Sequence, residues 1–187
     1  MSKLAKALQS AAGNAGGAED LAAAIDFDGT NDYLSRSSDL TGNADGKTFT
    51  FSAWIYETSG NSKIYHIDNG SGSTRFQIAF DGTGASSKLE ITGTNASGTT
   101  VLNIDSLAGN LALNTWQHIL VSIDLTNSSN RHIYINGVSQ TVTWNTYSND
   151  NIDFTSASYL SVGAALYSGP NLRLPESLRM VYVLTPP

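Results

Sequence analysis

Short stretches of alternating apolar and polar residues recur along the chain from about residue 23 onward. The clearest stretch covers residues 48–56, where Phe49, Phe51, Ala53 and Ile55 alternate with Thr50, Ser52, Trp54 and Tyr56. Successive side chains of a β-strand point to opposite faces of the sheet, so a period of two indicates a strand with one buried face. Residues 116–125 repeat the pattern, and we expect Ile119, Val121, Ile123 and Leu125 to point inward.

Clusters of Gly, Asn, Asp and Ser separate these stretches at intervals of about 8–12 residues, which is typical of a two-layer sandwich or a barrel. The pattern predicts strands over 24–27, 33–35, 48–56, 62–67, 75–80, 88–92, 99–104, 116–125, 131–135, 138–144, 159–162 and 178–184. Apart from the N-terminal segment, the one helix candidate is 105–113, which contains Gly and Asn and is interpreted as a loop.

One turn is specified by its residue types. Asn136 and Gly137 separate two of the predicted strands, and both residues tolerate a positive φ angle. A two-residue type I′ turn requires a positive φ at both central positions. We therefore predict a tight hairpin at this dipeptide.

The N-terminal segment has a different composition. Ser2 can cap a short helix over residues 3–12, with Leu4, Ala5, Leu8 and Ala12 along one stripe, and Gly13, Gly16 and Gly17 interrupt it. A helix of about ten residues is marginal in water. We interpret residues 1–21 as a helical or flexible arm that docks on a partner, and residues 22–187 as one domain. A leader without function is the alternative.

Composition and charge exclude several kinds of partner. The 187-residue chain has a formal net charge of −6, and its ten Lys and Arg residues are scattered. A phosphate-binding surface needs clustered cations, so we expect neither nucleic acid nor an anionic membrane as a partner. The chain contains no Cys, which excludes disulfides and thiolate sites. We recognise no signal peptide and no apolar run of membrane-spanning length, so synthesis in the cytoplasm is expected.

Four blocks of sequence, in this order, resemble the laminin G-like and pentraxin-like jelly rolls of the concanavalin A-like group. They are residues 24–34, residues 49–55, residues 116–124 together with 133–138, and residues 160–163. The resemblance covers about residues 23–185 and implies an all-β, two-sheet antiparallel jelly-roll sandwich. Residues 176–183 depart from the family pattern, because Arg179-Met180 stands where the family usually has an acidic pair.

Residues 1–8, together with the Gly-rich stretch that follows, resemble the opening of virion proteins of marine bacteriophages. The resemblance implies a non-catalytic virion subunit, either a capsid decoration or a tail-associated protein, made in the host cytoplasm. Its partners would be other virion proteins and copies of itself, with homo-oligomeric rings expected. Leu4 and Leu8, flanked by Lys3 and Lys6, would dock the arm. The alternative location is the cell surface or the extracellular medium.

Candidate catalytic groups are sparse. The four Glu residues do not form the Glu-x-Asp-x-x-Glu pattern of related glucanases, and a glycosidase needs two carboxylates across the scissile bond. His66 and His132 lack a nucleophile motif, and His118 lies within a predicted strand, where a structural hydrogen bond is the simpler role. We therefore expect no enzyme.

A calcium site is the one cofactor that the sequence suggests. Asp26, Asp28, Asn31 and Asp32 form the densest group of oxygen ligands, and Ca²⁺ binds six to eight oxygen atoms. The same residue types also occur in turns for conformational reasons alone. Both interpretations stay open, with no cofactor as the simpler one.

Aromatic residues offer a second hypothesis for function. Trp54, Tyr56, Trp144 and Tyr147 could stack on sugar rings if they face solvent, and the chain would then be a lectin-like module that recognises host-surface polysaccharide. The same four residues also fit core packing between two sheets, which is the more common fate of aromatic side chains.

Overall fold

The computed structural model describes residues 25–28, 32–40, 42–82, 87–106 and 109–166, and the backbone of residues 177–182. Within this part the chain forms thirteen strands and one 3₁₀ turn at Ser128–Asn130. The strands are β1 (Ile25–Asp28), β2 (Leu34–Arg36), β3 (Thr48–Glu57), β4 (Ser62–Asp68), β5 (Thr74–Asp81), β6 (Lys88–Thr94), β7 (Thr100–Ser106), β8 (Trp116–Asp124), β9 (His132–Ile135), β10 (Val138–Ser139), β11 (Val142–Tyr147), β12 (Tyr159–Val162) and β13 (Ser177–Tyr182).

The strands form two antiparallel sheets. One has six strands in the order β1-β13-β3-β8-β9-β10, and the other has seven in the order β11-β7-β6-β5-β4-β12-β2. Because β1 and β2 belong to different sheets, as do β12 and β13, the chain crosses between layers near both of its ends. The predicted all-β, two-sheet jelly-roll sandwich is confirmed.

The alternation read from the sequence builds the core. In β8, residues Ile119, Val121 and Ile123 are buried, and Leu125 just beyond the strand is buried as well. The seven-stranded sheet contributes fully buried side chains from its central strands, among them Ile67, Ile78, Phe80, Leu89, Ile91, Leu102 and Ile104. Two apolar sheet faces meet here, which leaves the outward faces for polar side chains and for function.

The hairpin at Asn136-Gly137 forms as predicted. Its residues have φ angles of 52° and 76°, as a type I′ turn requires. Val138 of β10 lies opposite Ile135 of β9.

The prediction of one strand over 138–144 was wrong, because the segment divides between the sheets. β10 pairs with β9 in the six-stranded sheet, whereas β11 pairs with β7 in the seven-stranded sheet. The crossing at Gln140 is held by its backbone N–H, which donates to the carbonyl of Ile133 at 2.8 Å. Local alternation does not change when a strand moves to another sheet, so the sequence carried no sign of this crossing.

The predicted arm at residues 1–21 lies outside the described residues, and the division at residue 22 stays a prediction. The loop interpretation of 105–113 agrees with the structure where it is described: β7 ends at Ser106, and residues 109–113 have no regular structure. No helix in the described part of the chain is long and apolar enough to span a membrane.

Candidate functional site

The outward face of the six-stranded sheet carries a group of rings on two adjacent strands. Trp54 and Tyr56 belong to β3, and their neighbours in the register on β8 are His118 and Trp116. The intervening residues Ala53, Ile55, Gln117 and Ile119 are buried, so the four rings share the opposite, solvent-facing side. We call Trp54, Tyr56, Trp116 and His118 the aromatic strip.

The rings of the aromatic strip pack in two tilted pairs across the two strands, with interplanar angles of 43° for Trp54 and His118 and 60° for Tyr56 and Trp116. The ring centroids of Trp54 and His118 are 5.3 Å apart, and those of Tyr56 and Trp116 are 5.6 Å apart. Even so, Trp54 is 42% exposed and Trp116 is 40% exposed. Large exposed aromatics on one face are a feature of interaction surfaces.

Polar groups lie beside these rings. The hydroxyl of Ser52 and Nε2 of His118 are 2.9 Å apart, which orients the imidazole. Farther along the same face, Tyr134 of β9 lies opposite Leu120 of β8, and its ring stacks with that of His132 at a centroid distance of 6.2 Å. The face thus combines flat apolar surfaces with hydroxyl and imidazole groups, which can contact a sugar ring and its hydroxyls together.

The other two predicted aromatics serve packing. Trp144 and Tyr147 lie on β11, pack against the core, and contact each other at a centroid distance of 5.3 Å. The guanidinium of Arg131 covers both rings, 4.2 Å from the centroid of Trp144 and 4.8 Å from that of Tyr147. The Tyr147 hydroxyl donates to the carbonyl of Asp124, and burial raises its pKa. This pair closes one edge of the sandwich.

The fold therefore separates the four predicted aromatic residues into an exposed pair on β3 and a packed pair on β11, and it adds Trp116, which was not predicted, to the exposed pair. The signal was present, because Trp116 and His118 alternate with the inward-facing Gln117 and Ile119. What was missing was the register that brings Trp116 opposite Tyr56.

The predicted calcium ligands are described in part. Asp26 and Asp28 are exposed on β1, and Asp32 is half-buried before β2, while Asn31 lies outside the described residues. Among the residues that the structure describes, no group of three or more His, Asp and Glu side chains is arranged to hold a metal ion. Calcium binding through these residues stays a prediction.

The outward face of the seven-stranded sheet is polar. Glu90 of β6 lies directly opposite Asp105 of β7. Both carboxylates are engaged: Glu90 accepts from the Gln77 amide, and Asp105 accepts from Lys88 at 3.2 Å and from Asn145 at 2.9 Å. The hydrogen bond to Asp105 also raises the pKa of Lys88. Like charges directly opposite each other repel, and these hydrogen bonds offset that repulsion. Only the register brings the two acids together.

A cavity of about 610 Å³ lies between the sheets, beside the first half of β3. Its walls include the rings of Phe49, Tyr65, Phe76 and Phe154, with the Phe49 and Phe76 centroids 4.9 Å apart. Burial raises the pKa of Tyr65 to about 12. Asn43, Thr48, Thr50 and Ser52 are the polar residues of the lining, and the other walls are mostly apolar. The cavity therefore offers few partners for sugar hydroxyls, and the exposed aromatic strip fits a glycan better.

The family is decided by a sequence match over most of the chain. Residues 28–173 match the family model Laminin_G_3, described as the concanavalin A-like lectin/glucanases superfamily. The chain belongs to this superfamily. The resemblance recognised in the sequence is thereby confirmed for the domain, whereas the resemblance of residues 1–8 to virion proteins is not tested. No curated protein matches the chain.

Solved structures agree with the concanavalin A-like fold. The Ruminococcus gnavus IT-sialidase CBM40 bound to alpha2,3 sialyllactose matches at 14% identity and a TM-score of 0.52, over 81% of this chain and 93% of that chain. The botulinum neurotoxin serotype G binding domain matches at 15% identity and a TM-score of 0.51, over 86% of this chain and 40% of that chain. Domains LG4-5 of the mouse laminin alpha1 chain match at 12% identity and a TM-score of 0.48, over 79% of this chain and 37% of that chain. At these identities the first two likenesses, with TM-scores above 0.5, show the fold alone.

Proposed function

We propose that this concanavalin A-like domain is a non-catalytic carbohydrate-binding module and that the aromatic strip is its binding surface. The observation that carries the proposal is the placement of two exposed tryptophans on adjacent strands of one sheet face, above a tightly packed core. A structural role does not require either indole to face water. A sugar ring stacked on them would cover that apolar surface, which the structure leaves exposed.

The sheet holds the rings of the aromatic strip in fixed positions, so that they can orient a sugar as well as contact it. Trp54 and Trp116 stand on strands whose inward residues Ile55 and Ile119 are fully buried, so the rings are held by a rigid sheet. Binding on such a preorganised surface avoids the entropy cost of ordering a loop. The hydroxyl of Ser52 and the imidazole of His118 supply the hydrogen-bonding groups that give a sugar its orientation.

Two further findings support a glycan ligand. The family description includes lectins, and one structural neighbour is a module bound to sialyllactose. The virion-subunit hypothesis rests on residues 1–21, outside the described part of the chain. The two hypotheses are compatible, because a virion subunit can itself bind a host glycan.

The test is a glycan array followed by affinity measurements on the strongest ligand. We expect Trp54→Ala and Trp116→Ala each to weaken binding at least tenfold, which corresponds to about 1.4 kcal/mol. Val138→Ala is the matched control, because Val138 is 63% exposed on the same sheet but lies outside the strip. It should bind like the parent protein. Circular dichroism and urea unfolding establish that each variant is folded.

Two outcomes would overturn the proposal. The first is an array without a ligand, or a ligand whose affinity does not change in either tryptophan variant. The second is release of reducing sugar from a bound glycan, which would make the domain an enzyme. In that case Glu90→Gln would show whether the Glu90–Asp105 pair performs the reaction.

A further inference from the structure

Apolar side chains continue beyond the aromatic strip onto a third strand. Resting on the proposed function, we infer that the domain binds a linear glycan chain along several consecutive sugars, and not by one terminal sugar. Leu120 follows His118 on the outward side of β8, and Tyr134 of β9 lies directly opposite Leu120. Ile133 and Ile135 are buried, so the Tyr134 ring faces outward as well. We call the aromatic strip together with Leu120 and Tyr134 the apolar band.

The apolar band is longer than one sugar ring. Successive side chains on one face of a strand are about 6.6 Å apart, and neighbouring strands are about 4.8 Å apart. Trp116 lies at one end of β8, and Tyr134 lies one strand away, opposite the residue four positions farther along. The backbones of Trp116 and Tyr134 are therefore roughly 14 Å apart. A pyranose ring is about as wide as one aromatic ring, so a ligand that covers both ends of the band must contain several linked sugars.

Short polar side chains border the apolar band on β3 and β8. Ser52 lies opposite Leu120, and Thr50 lies opposite Ser122. Val121 between Leu120 and Ser122 is buried, so these hydroxyls are on the same side of the sheet as the rings. Short side chains leave room for a glycan chain to lie along the rings, and their hydroxyls can bond to those of the sugars. A site for one terminal sugar is instead a concave pocket that encloses most of its ligand.

Polar groups also lie at the β9 end of the apolar band. The Tyr134 ring stacks with that of His132, with an interplanar angle of 27°. His132 is exposed and lies opposite Ser122. A phenol, an imidazole and a hydroxyl therefore lie where a chain stacked on the strip would continue. They can orient the later sugars as Ser52 and His118 orient the first.

The experiment measures affinity against chain length by isothermal titration calorimetry. The ligands are cello-, xylo-, manno- and maltooligosaccharides of two, four and six sugars. We expect a series that binds to gain about tenfold in affinity between two and six sugars, because each added sugar contacts a further part of the apolar band. A site for one terminal sugar would show no such gain.

Variants of Tyr134 locate the far end of the bound chain. Tyr134→Ala should weaken binding of the six-sugar ligand about fivefold and leave that of the two-sugar ligand unchanged, whereas Trp54→Ala should weaken both. Tyr134→Thr repeats the test with a residue that favours strands, in case the alanine variant does not fold. Tyr159→Ala is the matched control, because Tyr159 is also half-buried but lies on β12 of the other sheet. It should bind every length like the parent protein.

The outcomes separate this inference from the proposed function. Equal affinity for two and six sugars, or Tyr134 variants that bind six sugars like the parent, would overturn the linear-chain inference. Binding on the array to a single terminal sugar, weakened by Trp54→Ala and without binding in the length series, would also overturn it and keep the module a lectin. Failure of the length series and of every glycan on the array would instead refute the proposed function.

Discussion

His66 should make the domain less stable as the pH falls from about 6.5 towards 4. The residue lies on β4, is fully buried, and has neutral residues opposite it on both neighbouring strands, Gln77 and Ser161. Its Nε2 lies 3.1 Å from the Thr74 hydroxyl. Burial, with a smaller contribution from the positive charge of Lys63, lowers the pKa of His66 from 6.5 to about 4.

The sign follows from proton linkage. Because the folded pKa is depressed, the unfolded chain takes up a proton at His66 before the folded chain does. The stability associated with neutral His66 is therefore complete above pH 6.5 and is lost progressively as the pH falls towards 4. The loss between pH 7 and pH 5 is about 2 kcal/mol, and the full loss is about 3 kcal/mol.

The variant His66→Gln tests this magnitude, because glutamine keeps a polar group near Thr74 and does not titrate. Urea unfolding followed by tryptophan fluorescence would give the free energy of unfolding at pH 7, 6 and 5. We expect the parent protein to lose about 2 kcal/mol more than the variant across this range, since changes from the carboxylates are common to both. His132→Gln is the control, because His132 is exposed, and it should keep the pH dependence of the parent.

The contribution of His66 appears in the change of unfolding free energy with pH, so a variant that is less stable at every pH remains informative. Equal pH dependence of the parent and His66→Gln would refute the claim that a lowered pKa of His66 destabilises the folded protein at acidic pH. An NMR titration gives an independent check, in which the His66 ring of the folded parent should remain neutral down to about pH 5. A His66 midpoint near 6.5 would be equally decisive against the argument.

Two further predictions concern a glycine and the N-terminal segment. Gly163 has a φ of 77°, and a Cβ there would lie 2.7 Å from the Phe27 ring, so Gly163→Ala should cost about 3 kcal/mol in urea unfolding. Gly137→Ala, with a φ of 76° but open space around it, should cost about 1 kcal/mol, and equal costs would contradict the role of the Phe27 contact. If residues 1–21 are the docking arm of a virion subunit, deletion of residues 1–20 should leave a folded sandwich that no longer joins the phage particle in a reconstitution assay, and a truncated protein that still assembles would count against that hypothesis.

Most of the fold could be predicted because its determinants are local. The alternation in residues 48–56 and 116–124 specifies both the strand and its inward face, whatever its neighbours are. The turn at Asn136-Gly137 is equally local, because it depends on two residues that accept a positive φ. Predictions failed where the sheet to which a strand belongs is set by pairing with distant segments. Gln140, where the chain passes from one sheet to the other, is the example.

The candidate site shows the same division at the level of single side chains. Sequence alternation is enough to place Trp54 and Tyr56 on the face opposite the core residues of β3. Alternation could not show that Trp144 and Tyr147 pack against the core while Trp54 and Tyr56 face solvent. The positions of Trp144 and Tyr147 depend on the pairing of β11 with β7 and on the Arg131 guanidinium, which lies over the Trp144 ring.

The amino-acid sequence alone determined that this chain forms short antiparallel strands with one apolar face, that it carries a net negative charge with its cations scattered, and that a tight hairpin lies at one dipeptide. Only the tertiary structure decided which rings meet: it brought Trp116 beside Tyr56 across the β3–β8 register and turned Trp144 inward. The physical reason is that side-chain alternation and turn conformation depend on a few neighbouring residues. A binding surface, by contrast, is assembled from strands whose registers are set by long-range pairing.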